Sequence, residues 1–277
     1  MKAYSLDLLG AKLLDEELAQ TVQMYVHESG DQVISKTIKQ LGVWEPFETK
    51  LLLACLAEKH NFVDVGANLG YYSLIAAKHF SDLSVFAFEP EPANFALLQQ
   101  SIELNRLENI HSFNCALADS DSKGSLFLSE DNFGDHQIYD RGEPRRAISI
   151  DLRHGATVLS TFVKNIDVLK IDTQGAEFSV IRGLLPILKL SSNIQLIIEF
   201  WPFGLKKQGA HADDLLDLLL DLKRPAYIID HIEHCLIPCT EDDLRPWIKS
   251  LDIDAENEGF MNLFFGDPPA QIPIAPL

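Results

Sequence analysis

Short apolar runs alternate with helix-like segments through the middle of the chain. The runs with strand character are Asn61–Val65, Ser84–Glu89, Ile110–Leu117, Ile166–Asp172, Ile194–Phe200, Ala226–Ile232 and Phe260–Phe265. The segments with apolar residues at helical spacing are Leu69–Phe80, Pro92–Asn105, Ala176–Leu190 and Asp213–Lys223. Because the strands lack a polar alternate face, we expect a sheet that is buried on both sides. The alternation is typical of parallel βαβ units and predicts a doubly wound α/β fold.

The two ends of the chain depart from this rhythm. Residues 1–60 precede the first core strand and predict an N-terminal helical extension. Within it, Trp44–Glu48 is expected either to close over a bound cofactor or to pack on the sheet. The core domain is predicted over residues 61–266, and a loosely ordered, proline-rich tail is expected over residues 267–277.

An insertion interrupts the core at residues 118–165. Turn signals there surround two β-prone pieces, Ser125–Ser129 and Arg146–Ile150. We interpret the region as an inserted hairpin and loop that lies over the carboxyl edge of the sheet. Loops longer than about 12–15 residues are usually functional or disordered, so the insertion is a candidate wall of a binding site.

The charge of the chain narrows the range of partners. Lysine and arginine total 23 and aspartate and glutamate total 41, which gives a net charge of −18. Nucleic acids and anionic membranes attract basic surfaces, so neither is expected as the main partner. Hydrophobic residues make up 47% of the chain and charged residues 23%, which is typical of a folded globular protein. A small molecule is therefore the expected substrate.

Targeting and redox signals predict a cytoplasmic protein. No apolar stretch approaches the roughly 20 residues that a membrane span needs. Residues 1–20 place four acidic side chains among the leucines and lack the basic start of a signal peptide. The four cysteines are too scattered for a disulfide framework and suit a reducing compartment.

The strongest chemical signal is a strand that runs into a glycine turn and then a helix, over Phe62–Ser73. Gly66 can adopt backbone angles that other residues avoid, and it allows a ligand to approach the chain closely. In open α/β sheets, ligands bind beyond the carboxyl ends of the strands. Glu89 ends the next strand, 19 residues after Gly70, where a carboxylate can accept hydrogen bonds from both hydroxyls of a ribose.

The spacing of the turn favours one nucleoside cofactor over the dinucleotides. Asn68 occupies the position at which a dinucleotide fingerprint has its second glycine, the residue that admits the pyrophosphate. Asp64 just before the turn would repel a diphosphate but could hold an ammonium group. S-adenosylmethionine has a ribose and a cationic amino acid end without phosphate, so it is the predicted cofactor.

Four segments of the chain carry a resemblance to a known family. Asp64–Gly70, Phe88–Pro90, Leu169–Glu177 and Ile198–Glu199 resemble FkbM-type S-adenosylmethionine-dependent methyltransferases. The similarity extends from about Gly42 to Phe265. It implies a Rossmann-like, mostly parallel seven-stranded sheet whose last strand is antiparallel. It also implies O-methylation of a hydroxyl, often on a sugar or secondary metabolite.

The sequence departs from the family's pattern at Gln174, where the family usually has glutamate. If that glutamate acts through its charge, this chain has lost the function. A non-catalytic S-adenosylmethionine-binding module therefore stays open as an alternative. A nicotinamide-dependent oxidoreductase is a third hypothesis, against which Asn68 speaks.

The predicted cofactor residues cluster at strand ends. Asp64 and Gly66 are expected at the methionine and ribose end, Glu89 at the ribose, and the end of the third strand near the adenine. The full predicted set is Asp64, Gly66, Asn68, Gly70, Tyr71, Glu89, Pro90, Ala116, Leu117 and Asp172. No metal site is predicted, because strand alternation places His231 and His234 of the only His/Cys cluster on opposite faces.

Three side chains are candidates for the base that accepts the hydroxyl proton. Asp172 and Glu199 end the fourth and fifth strands, at the edge where this fold places chemistry. His136 lies in the inserted loop, and its unperturbed pKa of about 6.5 suits a base. The carboxylates Asp64, Glu89, Asp172 and Glu199 together suit a cationic cofactor and a neutral, hydroxyl-bearing acceptor. The acceptor's identity and the oligomeric state are not predicted.

Overall fold

The computed structural model describes residues 2–8, 21–140, 142, 144–253 and 259–276. Its strands are β1 (Ala3–Ser5), β2 (Gln23–Tyr25), β3 (Asn61–Val65), β4 (Ser84–Phe88), β5 (Ile110–Phe113), β6 (Ala116–Ala118), β7 (Ser122–Leu128), β8 (Arg146–His154), β9 (Val168–Ile171), β10 (Gln195–Phe200), β11 (Ala226–Asp230), β12 (Cys235–Cys239) and β13 (Met261–Phe265). Its helices are α1 (Ile34–Leu41), α2 (Pro46–Leu56), α3 (Tyr71–His79), α4 (Pro92–Asn105), α5 (Gly155–Leu159), α6 (Glu177–Leu188), α7 (Pro202–Lys207), α8 (Ala212–Leu220) and α9 (Glu241–Ile253).

The central sheet has eight strands in the order β12-β11-β13-β10-β9-β3-β4-β5. Strands β10, β9, β3, β4 and β5 run parallel, and β13 lies antiparallel between β10 and β11. The predicted doubly wound α/β fold with an antiparallel last strand is confirmed. The expected seven strands are joined by an eighth, β12, which forms a hairpin with β11. Its Pro238 is compatible with a strand at the sheet edge, where one backbone N–H is dispensable.

Both faces of the sheet are buried, as the apolar strands predict. In β3, Phe62 packs into the core on one face, and Val63 and Val65 pack into the core on the other. Helix α6 contributes Val180 and Ile181 to that second core. Among the residues that the structure describes, no helix has the length and apolar character needed to span a bilayer.

The N-terminal segment contains a pair of strands in addition to the expected helices. Helices α1 and α2 are preceded by an antiparallel pair, β1 and β2. The side chains of Val22, Met24 and Val26 are buried in turn, which is the two-residue period of a strand. Backbone amides of β2 donate hydrogen bonds to the side chains of Ser101 and Asn105, which attaches this pair of strands to α4. Residues 9–20, which also fall in the predicted helical region, lie outside the described residues.

The insertion folds as a small second sheet. Strands β6, β8 and β7 pair in that order, with β7 and β8 antiparallel as the predicted hairpin requires. The expected single strand Ile110–Leu117 is divided between β5 in the central sheet and β6 in the small one. The chain turns at Asn114, whose side-chain amide donates hydrogen bonds to the carbonyls of Glu89 and Pro90.

The proline-rich tail is more ordered than its composition suggests. Leu236 of β12 exchanges backbone hydrogen bonds with Pro273 and Ala275, and Ile272 is buried. An ion pair joins Arg224 to Asp267. Residues 267–276 therefore continue along the edge strand instead of leaving the domain.

Candidate active site

The glycine turn after β3 shapes the carboxyl edge of the sheet. Gly66 has a φ of +81°, and the amides of Gly66 and Ala67 both donate to the carbonyl of Phe88, at 3.0 and 2.9 Å. A Cβ atom at position 66 would lie 1.9 Å from the carbonyl oxygen of Asp172. Glycine is therefore needed for both its backbone angle and the close approach of the turn that follows β9.

Glu89 is held by two backbone amides at the end of β4. Its Oε2 accepts a hydrogen bond from the amide of Asn68 at 2.8 Å, and its Oε1 accepts one from the amide of Glu91 at 2.8 Å. The side chain is 5% exposed, and burial raises its pKa to about 8. Glu89 is fixed in place and forms no ion pair with the residues that the structure describes, which suits it to accept further hydrogen bonds from hydroxyl groups.

A first cavity opens beyond this edge. Its floor comes from the ends of β3 and β4, its side from β6 and β7, and its roof from Ile34 and the loop Phe133–Gly134. The residues that line it include the predicted Gly66, Asn68, Glu89, Pro90, Ala116, Leu117, His136 and Asp172. The structure thus brings together most of the predicted cofactor set.

Three predicted cofactor residues do not line this cavity. Asp64 is fully buried and accepts a hydrogen bond from the hydroxyl of Ser73 at 2.6 Å; burial raises its pKa. Tyr71 is buried beside Thr49, with its hydroxyl 3.2 Å from the Thr49 hydroxyl. Gly70 faces Leu98. These residues support the strand and helix that form the turn, one layer below the cavity.

The roof is tied down by amide side chains from the floor. The carbonyl of Phe133 accepts hydrogen bonds from Asn68 Nδ2 at 2.9 Å and from Asn94 Nδ2 at 3.3 Å. Asn94 is 1% exposed, and His27 packs edge-on against the Phe133 ring. His136 lies in the same loop; its Nδ1 accepts a hydrogen bond from the Ser129 amide, and burial lowers its pKa to about 4.

The turn after β9 organises four polar side chains. Lys170 is 6% exposed and donates to Asp172 Oδ2 at 3.2 Å. Gln174, at a φ of 54°, donates through Nε2 to Asp172 Oδ1 at 3.0 Å and to Glu199 Oε2 at 2.9 Å. Because an amide donates where a carboxylate cannot, Gln174 links two acids that would otherwise repel each other.

Glu177 holds the same turn from its other side. Its Oε1 accepts hydrogen bonds from the amides of Thr173 and Gly175 and from the Thr173 hydroxyl, at 2.9–3.1 Å. The side chain is fully buried at the first turn of α6. The segment Leu169–Glu177 is therefore one structural unit that places Asp172 at the edge of the sheet.

A second cavity of about 450 Å³ adjoins the first. The two cavities share Ile34, Gly134, Asp172 and Gln174. Aromatic rings supply much of its wall, and five carboxylates face it. Its aromatic and acidic lining residues are Trp44, Tyr72, Trp201, Phe260, Glu45, Glu48, Asp135, Asp172 and Glu199.

Burial and crowding change the acidity of two of these carboxylates. Glu45 accepts a hydrogen bond from the Tyr72 hydroxyl at 2.6 Å, and burial followed by repulsion from Asp172 raises its pKa to about 7. Burial, then Asp172 and Glu177, raise the pKa of Glu199 well above its ordinary value. The carboxylates of Asp172, Asp64 and Glu45 raise the pKa of Lys170 despite its burial. This cavity concentrates acid around one lysine.

Several residues of the site escape a reading of the sequence. Lys170 could have been found, because a lysine inside the apolar run Val168–Ile171 needs a buried acidic partner. The Trp44–Glu48 segment helps to line the second cavity, while its Phe47 packs into the core. The roof residues Ile34 and Phe133 carry no local signal, because only the tertiary fold brings them together.

Comparison with known proteins agrees with this arrangement. Residues 64–227 match the methyltransferase FkbM domain family, which is more than half of the chain. A doubly wound domain with a cavity at the carboxyl ends of β3 and β4 is the architecture of a nucleoside-cofactor enzyme. The chain belongs to the methyltransferase FkbM domain family.

Individual relatives are distant. Methyltransferase 1 of Beauveria bassiana is 28% identical over 142 residues, which is 44% of this chain and 57% of that protein, so the match spans little more than half of its length. Methyltransferase sdnD of Sordaria araneosa is 25% identical over 56% of this chain and 72% of its own. The crystal structure of an FkbM methyltransferase from Methylobacillus flagellatus is similar with a TM-score of 0.41 and 16% identity, covering 75% of this chain and 43% of that one.

Proposed function

We propose that this chain is an S-adenosylmethionine-dependent O-methyltransferase that acts on a small polar molecule with a free hydroxyl. The observation that carries the proposal is the meeting of two cavities at Asp172 and Gln174 in a member of this family. The first cavity is assigned to the cofactor and the second to the acceptor. An in-line displacement needs the two reactants held on either side of one point, which such a junction provides.

The residues of the first cavity fit the proposed cofactor. Glu89 offers a carboxyl group that two backbone amides hold in place, which suits the two hydroxyls of a ribose. Phe88, Ala116 and Leu117 offer an apolar surface that suits an adenine ring. When bound, S-adenosylmethionine supplies a methyl group whose carbon–sulfur bond breaks as the acceptor oxygen forms its bond to carbon.

Asp172 is the proposed proton acceptor, because it is the carboxylate that faces both cavities. Lys170 and Gln174 each donate a hydrogen bond to one of its two carboxylate oxygens, which fixes the orientation of the side chain. Glu199 is assigned as a second carboxylate that contacts the acceptor in the second cavity. His136 lines only the first cavity, so we assign it to the wall around the cofactor instead of to proton transfer.

Calorimetry with S-adenosylhomocysteine tests the cofactor assignment. Glu89→Ala should weaken binding by about tenfold or more, because it removes the hydrogen bonds that the Glu89 carboxyl group makes to the ribose. Glu103→Ala, an exposed glutamate on α4, is the matched control and should bind like the wild type. A wild type that does not bind, or an unchanged affinity in Glu89→Ala, contradicts the assignment.

Turnover on a panel of hydroxylated metabolites tests the chemistry. Asp172→Asn should lower kcat by about 100-fold with a smaller effect on S-adenosylhomocysteine affinity, because the general base is lost. Methylation of any acceptor by the wild type excludes the non-catalytic binding module. Equal kcat values for Asp172→Asn and the wild type would remove Asp172 from the role of base.

The cellular setting is proposed from composition. All four cysteines are free, which supports action in a reducing cytoplasm. The net charge of −18 supports a small-molecule acceptor over a nucleic acid or an anionic membrane.

A further inference from the structure

The second cavity contains more acid than its own cations compensate. Of the five carboxylates that face it, Asp172 is paired with Lys170, and Asp135 is paired with Arg145 at 2.7 Å. Lys170 is the one cation among the described residues that line this cavity. Glu45, Glu48 and Glu199 form no ion pair with any residue that the structure describes, although the charge of Lys170 acts on Glu45 and Glu199.

Glu48 is the most unusual of these three. Glu48 is 5% exposed and lines the second cavity. None of the described residues donates a hydrogen bond to its carboxylate or forms an ion pair with it. Glu45 and Glu199 at least accept hydrogen bonds from Tyr72 and Gln174. A buried carboxylate that only the cavity can satisfy indicates a ligand group that donates hydrogen bonds and carries positive charge.

The aromatic walls of the cavity favour the same kind of group. Trp44, Tyr72 and Trp201 line it, and aromatic faces attract cations at short range. The protein already uses one of these faces in this way, because the ammonium of Lys170 lies 4.8 Å from the centre of the Tyr72 ring. Acid and aromatic surface together form a cation-binding environment.

We infer that the methyl acceptor carries a protonated amino group, which the second cavity binds between Glu45, Glu48 and Glu199. The inference rests on the proposed function and names its substrate class: an amino alcohol or amino phenol in place of the neutral acceptor expected from the sequence. A protonated amine has no lone pair to attack a methyl group. It is therefore the binding handle, and the hydroxyl of the same molecule is the nucleophile.

The titration of the cavity supports this inference. Glu45 faces Asp172, Lys170, Tyr72 and Glu48, and Glu199 faces Asp172, Glu177, Gln174 and Lys170. Burial and the surrounding carboxylates raise the pKa of both glutamates, so the free cavity holds protons near neutral pH. An incoming ammonium stabilises the charged carboxylates, and its binding should release protons to the buffer.

Three small phenols whose side chains end in groups of different charge test the inference. Tyramine ends in an ammonium, tyrosol in a hydroxyl and phloretic acid in a carboxylate. With S-adenosylhomocysteine bound, tyramine should bind about tenfold more tightly than tyrosol, and phloretic acid should bind most weakly. Calorimetry at pH 7 in phosphate and in Tris should show proton release with tyramine and none with tyrosol.

Variants at Glu48 locate the charge. Glu48→Gln should remove most of the preference for tyramine, and Glu48→Asp should retain part of it. Glu103→Gln, on the exposed surface of α4, should leave the preference unchanged. Each variant is accepted only if its Tm and S-adenosylhomocysteine affinity match the wild type. If Glu48→Gln does not fold, Glu199→Gln provides the same test in the same cavity.

The outcomes separate this inference from the proposed function. A wild type without affinity for S-adenosylhomocysteine contradicts the proposed function. Normal affinity for S-adenosylhomocysteine, with tyramine bound no more tightly than tyrosol, contradicts the inference alone. Transfer of the methyl group to the nitrogen of tyramine also contradicts it, because the amine would then be the nucleophile. Proton release on binding of S-adenosylhomocysteine by itself would assign the acidic surface to the cofactor and overturn the inference.

Discussion

The two cavities that meet at Asp172 are built in different ways. The first depends on backbone: the Gly66 turn, the two amides that hold Glu89, and the Phe133 carbonyl in the roof. The second depends on side chains, with several carboxylates around Lys170. A cavity made from backbone geometry is stable without its ligand, whereas a cavity of crowded carboxylates is not electrostatically satisfied until a ligand arrives. This difference matches the proposed assignment of the first cavity to the cofactor, which is the same in every turnover, and of the second to the acceptor.

Gly66→Ala should break the first cavity and have the largest effect. Its new Cβ would stand 1.9 Å from the Asp172 carbonyl, at a φ of +81°. We expect a loss of about 4 kcal/mol in the free energy of unfolding, together with loss of S-adenosylhomocysteine binding. Gly209→Ala is the matched control, because Gly209 has a φ of +84° and open space around its Cβ position. That variant should lose only about 1 kcal/mol in urea unfolding.

Equal losses in the two glycine variants would show that the backbone angle alone matters. In that case the contact between the β3 turn and the β9 turn would not be needed for the site. A larger loss at Gly66 than at Gly209 assigns the difference to that contact.

Lys170→Met should break the second cavity. The substitution removes the ion-pair partner of Asp172. It also removes the positive charge that compensates the nearby carboxylates of Asp64 and Glu45. We expect a loss of about 3 kcal/mol in urea unfolding at pH 7, because a buried charge without its partner is costly. The loss should shrink at pH 5, where Glu45, whose pKa burial raises to about 7, holds a proton. The exposed Lys189→Met is the control, and a loss below about 1 kcal/mol at Lys170 would contradict the assigned role.

The fold and the site can be predicted from the sequence only where the residues that determine them are close together in the chain. Gly66, Glu89 and Asp172 each end a strand, and parallel strands bring their carboxyl ends to one edge, so their clustering follows from the sequence. The division into two cavities does not follow, because it depends on Ile34 and Gly134, which are far apart in the chain and meet only in the fold. His136 shows the limit: its position in a loop is readable, but the cavity that it lines is not.

The N-terminal strands show a local signal that was present and still insufficient. Val22, Met24 and Val26 alternate with polar residues, yet a three-residue strand is stable only where a partner and a packing surface exist. Both are non-local here: β1 supplies the pairing and α4 the surface. A short alternating run therefore could not be distinguished from the helical extension that was expected.

The pH dependence of stability should distinguish the two cavities further. The pKa of Glu45 is raised from 4.5 to about 7, so the folded protein holds a proton that the unfolded chain releases between these values. Stability should therefore fall as the pH rises through this range, and the fall should stop above it. Glu45→Gln keeps an acceptor for the Tyr72 hydroxyl and should remove about 3 kcal/mol of this fall between pH 4.5 and pH 8.

The slope that remains in Glu45→Gln should include Glu89, whose pKa of about 8 belongs to the first cavity. Urea unfolding over a pH series, with the wild type and Glu45→Gln in parallel, measures both contributions. Identical pH profiles for the two proteins would show that Glu45 does not hold a proton in the folded state.

Gln174→Glu should have the smallest effect on stability and the most direct bearing on the chemistry. The amide of Gln174 donates to both Asp172 and Glu199, and a glutamate can do so only after it binds a proton. Three carboxylates would then share the junction of the cavities. We expect a loss of about 1 kcal/mol in unfolding, a kcat about tenfold lower at pH 7, and a pH profile of kcat shifted upward. Gln99→Glu, at an exposed amide on α4, is the control.

The direction of that change decides between two interpretations of Gln174. If glutamine marks the loss of a needed charge, as in a non-catalytic module, then restoring glutamate should raise methyl transfer. If glutamine is the donor that keeps Asp172 and Glu199 in place, the same substitution should lower it. The hydrogen bonds of 3.0 and 2.9 Å favour the second interpretation, because both depend on the amide nitrogen. A gain in kcat for Gln174→Glu would contradict this interpretation. It would indicate that the site around Asp172 lacks a negative charge that methyl transfer needs.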